Sequence, residues 1–215
     1  MKRRLSLSLL LTLLVLANGC TAQEWPERRG QVLEAGTNKP IPGAIVIVRW
    51  KGTASIWPAD AQTQCYHVES ATSNERGEYV IPAWRETADQ RLLGDKQVFT
   101  DAFKPGYARS PEYFKQESYR KNIELLESFK GTRGERLAEL RRFNEATSCP
   151  DAGESKKNRL VLQKAVYEEA RSLAITPADR EIVNKLLFGL ESEQFGSMEA
   201  LKRMDARKRG ANDNY

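Results

Sequence analysis

The sequence predicts an α+β protein in which an antiparallel β-sandwich is followed by a C-terminal helical extension. From about residue 28 to residue 129, short segments rich in Val, Ile, Tyr and Phe are separated by Gly, Pro, Asn and Asp, which is typical of sandwiches. Further on, apolar residues recur every three to four positions, the period of an amphipathic helix. We expect a signal peptide at 1–19, a lipid-anchored linker at 20–27, the sandwich at 28–130, the helical extension at 131–209 and a polar tail at 210–215.

The N-terminus has the pattern of a secretory signal peptide. Lys2, Arg3 and Arg4 precede an apolar run over residues 5–17 that is too short to span a membrane. Residues 16–20, LANGC, resemble the bacterial lipobox, in which the cysteine becomes the acylated N-terminus, although Ala17 stands where leucine is usual. We therefore expect lipidation at Cys20. The alternative is cleavage after Ala22, which would give a soluble periplasmic or secreted protein.

The residue after the cysteine and the overall charge point to the cell envelope. The residue after Cys20 is Thr21 and not an aspartate. This resembles the default sorting signal that sends bacterial lipoproteins to the outer membrane, so we expect the protein on the periplasmic face of that membrane. The chain has 34 basic and 29 acidic residues, net +5. Without Lys2, Arg3 and Arg4 the balance is 31 against 29, or +2, so composition argues against nucleic acid as a partner. The lipid anchor implies a membrane partner instead.

The cysteine count predicts one disulfide. Lipidation uses Cys20, and the alternative cleavage removes it, so Cys65 and Cys149 remain in an oxidising compartment. Two cysteines there most simply form a bond with each other. The alternative is that Cys65 and His67, two residues apart, form one corner of a metal site.

The strands and their turns follow from local pattern. Residues 37–43, TNKPIPG, form a turn because Pro and Gly interrupt pairing and relieve the backbone. In the strand that follows, Ala44, Val46 and Val48 share one face while Ile45 and Ile47 share the other. This strand is predicted to be central, with the second sheet on one side and the helical half on the other. The predicted strands are residues 30–33, 44–50, 65–72, 78–81, 97–103 and 122–126.

The helical half carries two N-terminal capping patterns. Thr132 and Glu135 form a capping box ahead of a helix at 133–146. Thr176 and Pro177 start a later helix, and residues 158–174 carry an apolar stripe between the two. Residues 197–215 are basic, and we expect this last helix to be solvated.

Four motifs in the first half resemble the carboxypeptidase regulatory-like domain. They are GQV at 30–32, TNKPIPGA at 37–44 with Val46 and Val48, GEYVIP at 77–82 and KPGY at 104–107. The resemblance covers about residues 28–110 and implies a seven-stranded antiparallel, transthyretin-like β-sandwich. Asn38 departs from the family pattern, which usually has glycine there. The domain is an accessory module in exported proteins, so the resemblance implies a fold and no particular activity.

The sequence shows no catalytic constellation. The single histidine, His67, is followed three residues later by Ser70, whereas a zinc peptidase needs an H-x-x-E pair and a further histidine. No G-x-S-x-G motif is present to support a serine hydrolase, and no cofactor motif is found. We expect a non-catalytic lipoprotein that binds or scaffolds in the periplasm. The alternatives are a structural or immunity lipoprotein with a dedicated protein partner, and an envelope hydrolase of unassigned type.

Three aromatic residues are the predicted ligand-binding positions. Trp50 ends the central strand, and Trp57 and Tyr66 flank a long connection at the end of the sandwich. Aromatic rings on such a loop can stack on a glycan or anchor a protein of the envelope. This hypothesis requires Trp57 to be at least partly exposed. The alternative is that the rings cap the hydrophobic core beneath the loop.

Overall fold

The computed structural model describes residues 24–54, 61–115 and 121–212, and confirms an α+β fold. The strands are β1 (Glu24–Trp25), β2 (Arg28–Glu34), β3 (Ile45–Ala54), β4 (Gln62–Thr72), β5 (Glu78–Ile81), β6 (Trp84–Arg85), β7 (Gly94–Phe103), β8 (Tyr107–Arg109) and β9 (Ile123–Ser128). Strand β1 lies inside the segment expected to be a linker.

The strands form two larger sheets and a small ribbon. Strands β5, β2, β9 and β8 form a four-stranded sheet in that order, β4, β3 and β7 form a three-stranded sheet, and β1 pairs with β6. One pairing differs from the antiparallel expectation, because β2 and β9 run parallel. A parallel pair needs a long crossover connection, and here most of the β-rich half lies between the two strands.

The central strand is covered on both faces, as its sequence predicts. Val46 and Val48 pack with Val32 and Ile81 of the four-stranded sheet in one buried cluster. Ile47 belongs to a second buried cluster shared with the helical half. The molecule is therefore layered, with the three-stranded sheet between the four-stranded sheet and the helices.

The turn ahead of β3 contains two residues with positive φ, Asn38 and Gly43. Asn38 has φ 55° and Gly43 has φ 65°, so both occupy the left-handed region. Asparagine is one of the few residues other than glycine that enters this region readily. Asn38 therefore fits the backbone conformation that this turn requires.

The helices begin where the capping patterns place them. Thr132 and Glu135 form the expected capping box, and Thr176 caps a helix with Pro177 in its first turn. The helices are α1 (Ala88–Arg91), α2 (Glu112–Lys115), α3 (Arg133–Ala146), the 3-10 helix (Gly153–Arg159), α4 (Leu160–Leu173), α5 (Pro177–Phe195) and α6 (Ser197–Asn212).

Two expectations about surface segments need correction. Much of the connection expected between Trp50 and Tyr66 is strand, since β3 and β4 stay paired out to Ala54 and Gln62. The last helix is not wholly solvated. Ala200 of α6 is fully buried, and Arg207 makes two hydrogen bonds to Glu191 of α5, at 2.7 and 2.8 Å.

The predicted disulfide between Cys65 and Cys149 is present, with 4.9 Å between the two Cα atoms. It joins β4 to the segment after α3, and both cysteines lie in the core that the sheet shares with the helices. The bond therefore fastens the helical layer to the face of the three-stranded sheet.

We expect the disulfide to contribute substantially to stability, because it links residues 84 positions apart. The chain-entropy account gives about 4 kcal/mol for a loop of this size. Replacing both cysteines by serine should lower the free energy of unfolding by about that amount in urea titrations. Mass spectrometry of non-reduced peptides should recover the linked pair from exported protein, whereas free thiols at both positions would contradict the assignment.

Candidate functional site

Two of the three predicted ligand-binding residues lie in the core. Trp50 and Tyr66 are 0% and 2% exposed, so neither ring is available to a ligand at the surface. Their burial matches the alternative in which the rings cap the core. Trp57 lies outside the described residues, and its exposure stays a prediction.

Trp50 and Tyr66 belong to an aromatic cluster at the β1–β6 end of the sandwich. Trp50 lies edge-on to Trp25 and Trp84, with ring centroids 6.1 and 5.2 Å apart. His67 stacks on Trp84 with 3.5 Å between centroids. These contacts hold the ribbon against strands β3 and β4, which is a structural role.

A buried carboxylate fastens the same cluster. The Glu86 side chain is 0% exposed and accepts hydrogen bonds from Trp25 Nε1, Tyr66 Oη and Lys96 Nζ at 2.8, 3.1 and 2.6 Å. Burial, and then the charge of Glu86, raise the pKa of Tyr66 above its ordinary value. A buried charge with three donors is well compensated, so Glu86 ties β1 and β4 together.

Of the two residues suggested as metal ligands, Cys65 and His67, the first is not available to a metal ion. Cys65 is bonded to Cys149 and cannot act as a thiolate ligand, while His67 Nε2 lies 3.0 Å from Glu69 Oε1. Within the described ranges, no group of three or more His, Cys, Asp and Glu side chains is placed to hold a metal ion.

The best-developed site lies elsewhere, beside the edge strands β7 and β8 of the two larger sheets. It is a cleft of about 550 Å³, which we call the edge cleft. Its size is within the range of small-molecule sites. The lining residues are Arg49, Val98, Phe99, Thr100, Asp101, Arg109 and Tyr113.

Arg109 of β8 bridges the two sheets at the edge cleft. Its Nη2 lies 3.0 Å from Asp101 Oδ1, 2.9 Å from the Thr100 carbonyl oxygen and 3.2 Å from Glu124 Oε2. The guanidinium also lies over the Tyr113 ring, 4.6 Å from its centroid. β7 is an edge strand, so its outer carbonyl groups could accept hydrogen bonds from the strand of another molecule. The hydrogen bond from Arg109 occupies one of these carbonyl groups, that of Thr100.

Arg109 keeps part of its donor capacity. Its side chain is 28% exposed, and its hydrogen bonds and ion pairs with the described residues all use Nη2. Nε and Nη1 make no hydrogen bond to any residue in the part of the chain that the structure describes. Two parallel N–H groups of a guanidinium match the two oxygens of a carboxylate.

A second arginine lies deeper in the cleft wall. Arg49 Nη2 lies 2.6 Å from Asp101 Oδ2, and its Nη1 donates to the carbonyl oxygen of Ala146 at the end of α3. A cation is favourable at a helix C-terminus because of the helix dipole. Asp101 is therefore held between Arg49 and Arg109.

Glu124 is the buried acid of this network, with 1% exposure. It accepts from Tyr113 Oη at 3.2 Å as well as contacting Arg109. Burial raises the pKa of Glu124 to about 7, while the charge of Arg109 opposes that rise and the charge of Asp101 adds to it. Such a carboxyl changes its charge near neutral pH, which is often seen at functional sites.

The mouth of the cleft is aromatic and basic. Phe99 is 38% exposed, and Lys51 Nζ lies 5.0 Å from its ring centroid. The cleft and its mouth together hold Arg49, Lys51 and Arg109 against the two acids, one of which titrates near neutrality. The arrangement is therefore suited to an apolar group that carries a negative charge.

Sequence reasoning missed this site because its members come from four separate segments. The only local signals are charged residues inside apolar runs. Arg49 follows four β-branched residues, and Glu124 stands between Ile123 and Leu125 in a strand. A charge at such a position must be paired when the strand is buried.

No family model, curated protein or solved structure matches the chain. Along residues 24–54, 61–115 and 121–212, no helix combines the length and the apolar character required to cross a membrane.

We expect Glu124 to make stability fall as the pH rises from about 4.5 to about 7. The folded protein keeps this proton where the unfolded chain has lost it, so the stabilisation is complete below pH 4.5 and is lost as pH passes the folded pKa of about 7. Glu124→Gln removes this loss. The free energy of unfolding of Glu124→Gln should exceed that of wild type by up to about 3 kcal/mol at pH 8 and by much less at pH 5.

Urea unfolding of wild type and Glu124→Gln at both pH values measures this difference. Glu127→Gln, on the same strand, is the matched control and should keep the wild-type decline. A Glu124→Gln variant that declines as steeply as wild type would show that Glu124 is not the titrating group.

Proposed function

We propose that this protein is a non-catalytic, lipid-anchored module of the bacterial envelope that binds carboxylate-bearing ligands in its edge cleft. The observation that carries the proposal is Arg109, which is stacked on Tyr113 at the cleft and whose Nε and Nη1 have no hydrogen-bond partner among the described residues. The anchor would be the acylated Cys20 on the periplasmic face of the outer membrane.

Export is supported by the N-terminal pattern and by the disulfide. The basic residues, the apolar run and Cys20 together are typical of a lipoprotein signal. The Cys65–Cys149 bond fits an oxidising compartment such as the periplasm.

The anchor would hold the sandwich close to the lipid surface. Strand β1 begins at Glu24, so Thr21, Ala22 and Gln23 alone separate it from Cys20. Four residue steps span at most about 14 Å in an extended chain. Because Trp25 is tied to Glu86 at 2.8 Å, the β1–β6 end would lie near the membrane.

We further propose that residues 28–130 are a carboxypeptidase regulatory-like domain with a transthyretin-like sandwich. The packing of the four-stranded sheet against the three-stranded sheet over one core supports this assignment. Among the motif residues, the positive φ values of Asn38 and Gly43 support the family's turn. The parallel pairing of β2 with β9 departs from the expected antiparallel pattern.

The geometry favours binding over acid–base catalysis at the cleft. A general acid must reach the atom that it protonates, whereas Glu124 is 1% exposed and lies behind Arg109 and Tyr113. Its effect on a ligand would be indirect. Protonation removes a negative charge 3.2 Å from Arg109 Nη2 and so leaves Arg109 freer to attract an anion.

A peptide with a free C-terminal carboxyl group, or an acidic glycan, has the chemistry that this cleft would select. The carboxylate would pair with Arg109, and the adjoining apolar group would contact Phe99 and Val98.

We expect the wild type to partition with membranes and Cys20→Ala to remain in the soluble periplasmic fraction. Burial of an acyl chain stabilises attachment by about 0.8 kcal/mol per methylene. Fractionation followed by N-terminal sequencing measures this. Soluble wild-type protein beginning at Thr21 or Gln23 would contradict the anchor without touching the binding proposal.

For the edge cleft, we expect 3-phenylpropanoate to bind and its amide, 3-phenylpropanamide, to bind at least about tenfold more weakly, since charge-assisted hydrogen bonds are the stronger ones. NMR titration should show saturable shifts at Phe99, Arg109 and Tyr113. Affinity should be higher at pH 6 than at pH 8, because Glu124 becomes protonated as the pH falls through about 7.

Arg109→Gln should abolish the preference for the acid, while the exposed Arg91→Gln should retain it. Equal affinity for the acid and the amide in wild type would contradict a carboxylate site. Thermal melts of both variants establish that they remain folded.

A further inference from the structure

A second cleft, of about 390 Å³, lies within the helical layer. We call it the helical cleft. It is bounded by the C-terminal end of α3, the 3-10 helix, the first turn of α4 and the middle of α5. The residues that bear on its chemistry are Asn144, Arg159, Gln163, Phe188, Gly189 and Ser192.

Arg159 is built into this cleft by a set of fixed contacts. It is 2% exposed, its Nη1 contacts Glu193 Oε1, and its Nη2 donates to Asn144 Oδ1 at 3.0 Å. Burial lowers the pKa of Arg159, against the opposing charge of Glu193. The pair holds one cation and one anion, so this part of the cleft has no net charge.

Four buried polar atoms around the cleft have no hydrogen-bond partner among the described residues. They are Arg159 Nε, Gln163 Oε1, Ser192 Oγ and Glu193 Oε2. Leaving buried polar atoms unpaired is costly, and each case in a native protein calls for an explanation. The four are of different kinds, since Arg159 Nε is a donor, Gln163 Oε1 and Glu193 Oε2 are acceptors, and Ser192 Oγ can be either.

Gly189 keeps room in the cleft. It lies in the middle of α5, where glycine is unfavourable relative to alanine. A Cβ at this position would lie 3.8 Å from Asn144 Nδ2 and 4.0 Å from Gln163 Nε2. Any longer side chain here would extend towards these polar groups.

The chemistry of the lining selects a class of ligand. The lining contains two basic residues, Lys156 and Arg159, and two acidic residues, Glu145 and Glu193. It therefore has no net charge that would attract a charged ligand. A hydroxyl group both donates and accepts, so a molecule with several hydroxyl groups matches the mixed set of unpaired atoms. Phe188, which is half-buried in the lining, offers an apolar surface to a sugar ring.

We propose that the helical cleft binds a small, neutral, polyhydroxylated molecule of the sugar or polyol class. The site is separate from the edge cleft and does not depend on the lipid anchor. Gln163 and Ser192 would exchange hydrogen bonds with its hydroxyl groups, and Arg159 Nε would donate to one of them.

Titration of the isotope-labelled full mature chain tests this proposal, with glucose, N-acetylglucosamine and myo-inositol as probes. At least one should give saturable shifts in the side-chain amide signals of Gln163 and Asn144. Sodium acetate should give none there. Failure of all three probes up to about 50 mM, or a stronger response to acetate, would overturn the proposal and leave a cleft that holds solvent alone.

Matched glycine variants locate the binding. Gly189→Leu fills the cleft and should weaken binding by at least about tenfold. Gly134→Leu is the control, because Gly134 is also helical and a Cβ there has nothing within 4 Å; its affinity should stay within about twofold of wild type. Ser192→Ala should weaken binding by about three- to tenfold, the effect of one neutral hydrogen bond.

Thermal melts establish that each variant is folded. Equal binding by Gly189→Leu and wild type would place the probe elsewhere and overturn the assignment. Arg109→Gln should leave binding in the helical cleft unchanged, so the two sites can fail independently.

Discussion

Strand β3 has to be covered on both faces, and the rest of the architecture follows from that requirement. Val46 and Val48 on one side and Ile47 on the other are all fully buried. One sheet can cover only one face of another, so the second face needs a different layer. The helices supply it, which is why the helical half shares a core with the sheet. The Cys65–Cys149 bond then joins the two layers where they meet.

Charged residues cluster at the edges of these layers, where the sheets end. At the side of the sandwich formed by β7 and β8, Arg109 closes the gap between the two sheets by contacting Asp101, Thr100 and Glu124. Arg49 reaches from the central sheet to the end of α3. The ion pairs are partly buried, so removing one partner would leave the other charge uncompensated. The same groups that close the layers therefore form the walls of the edge cleft.

The parts of the fold that were predictable depend on residues that are close to one another in the sequence. The alternation from Ala44 to Val48 predicts a strand buried on both faces, and Thr132 with Glu135 predicts the start of α3. Strands β1 and β6, of two residues each, are too short to show a period. The edge cleft was not predictable, because Arg49, Arg109 and Glu124 meet only after the chain has folded. The sequence predicts that Trp50 ends the central strand, whereas β3 continues to Ala54 and Trp50 is fully buried.

The two clefts arise at different kinds of boundary, and this difference accounts for their chemistry. The edge cleft lies between sheet edges, where charged side chains occupy backbone groups that have no neighbouring strand, and it is accordingly rich in charge. The helical cleft lies between helices whose backbone groups are already paired internally, so its polar atoms belong to side chains. There Arg159 is neutralised by Glu193, and the other two charged lining residues, Lys156 and Glu145, are of opposite sign. A charged ligand suits the first boundary and a neutral, hydroxyl-rich ligand suits the second.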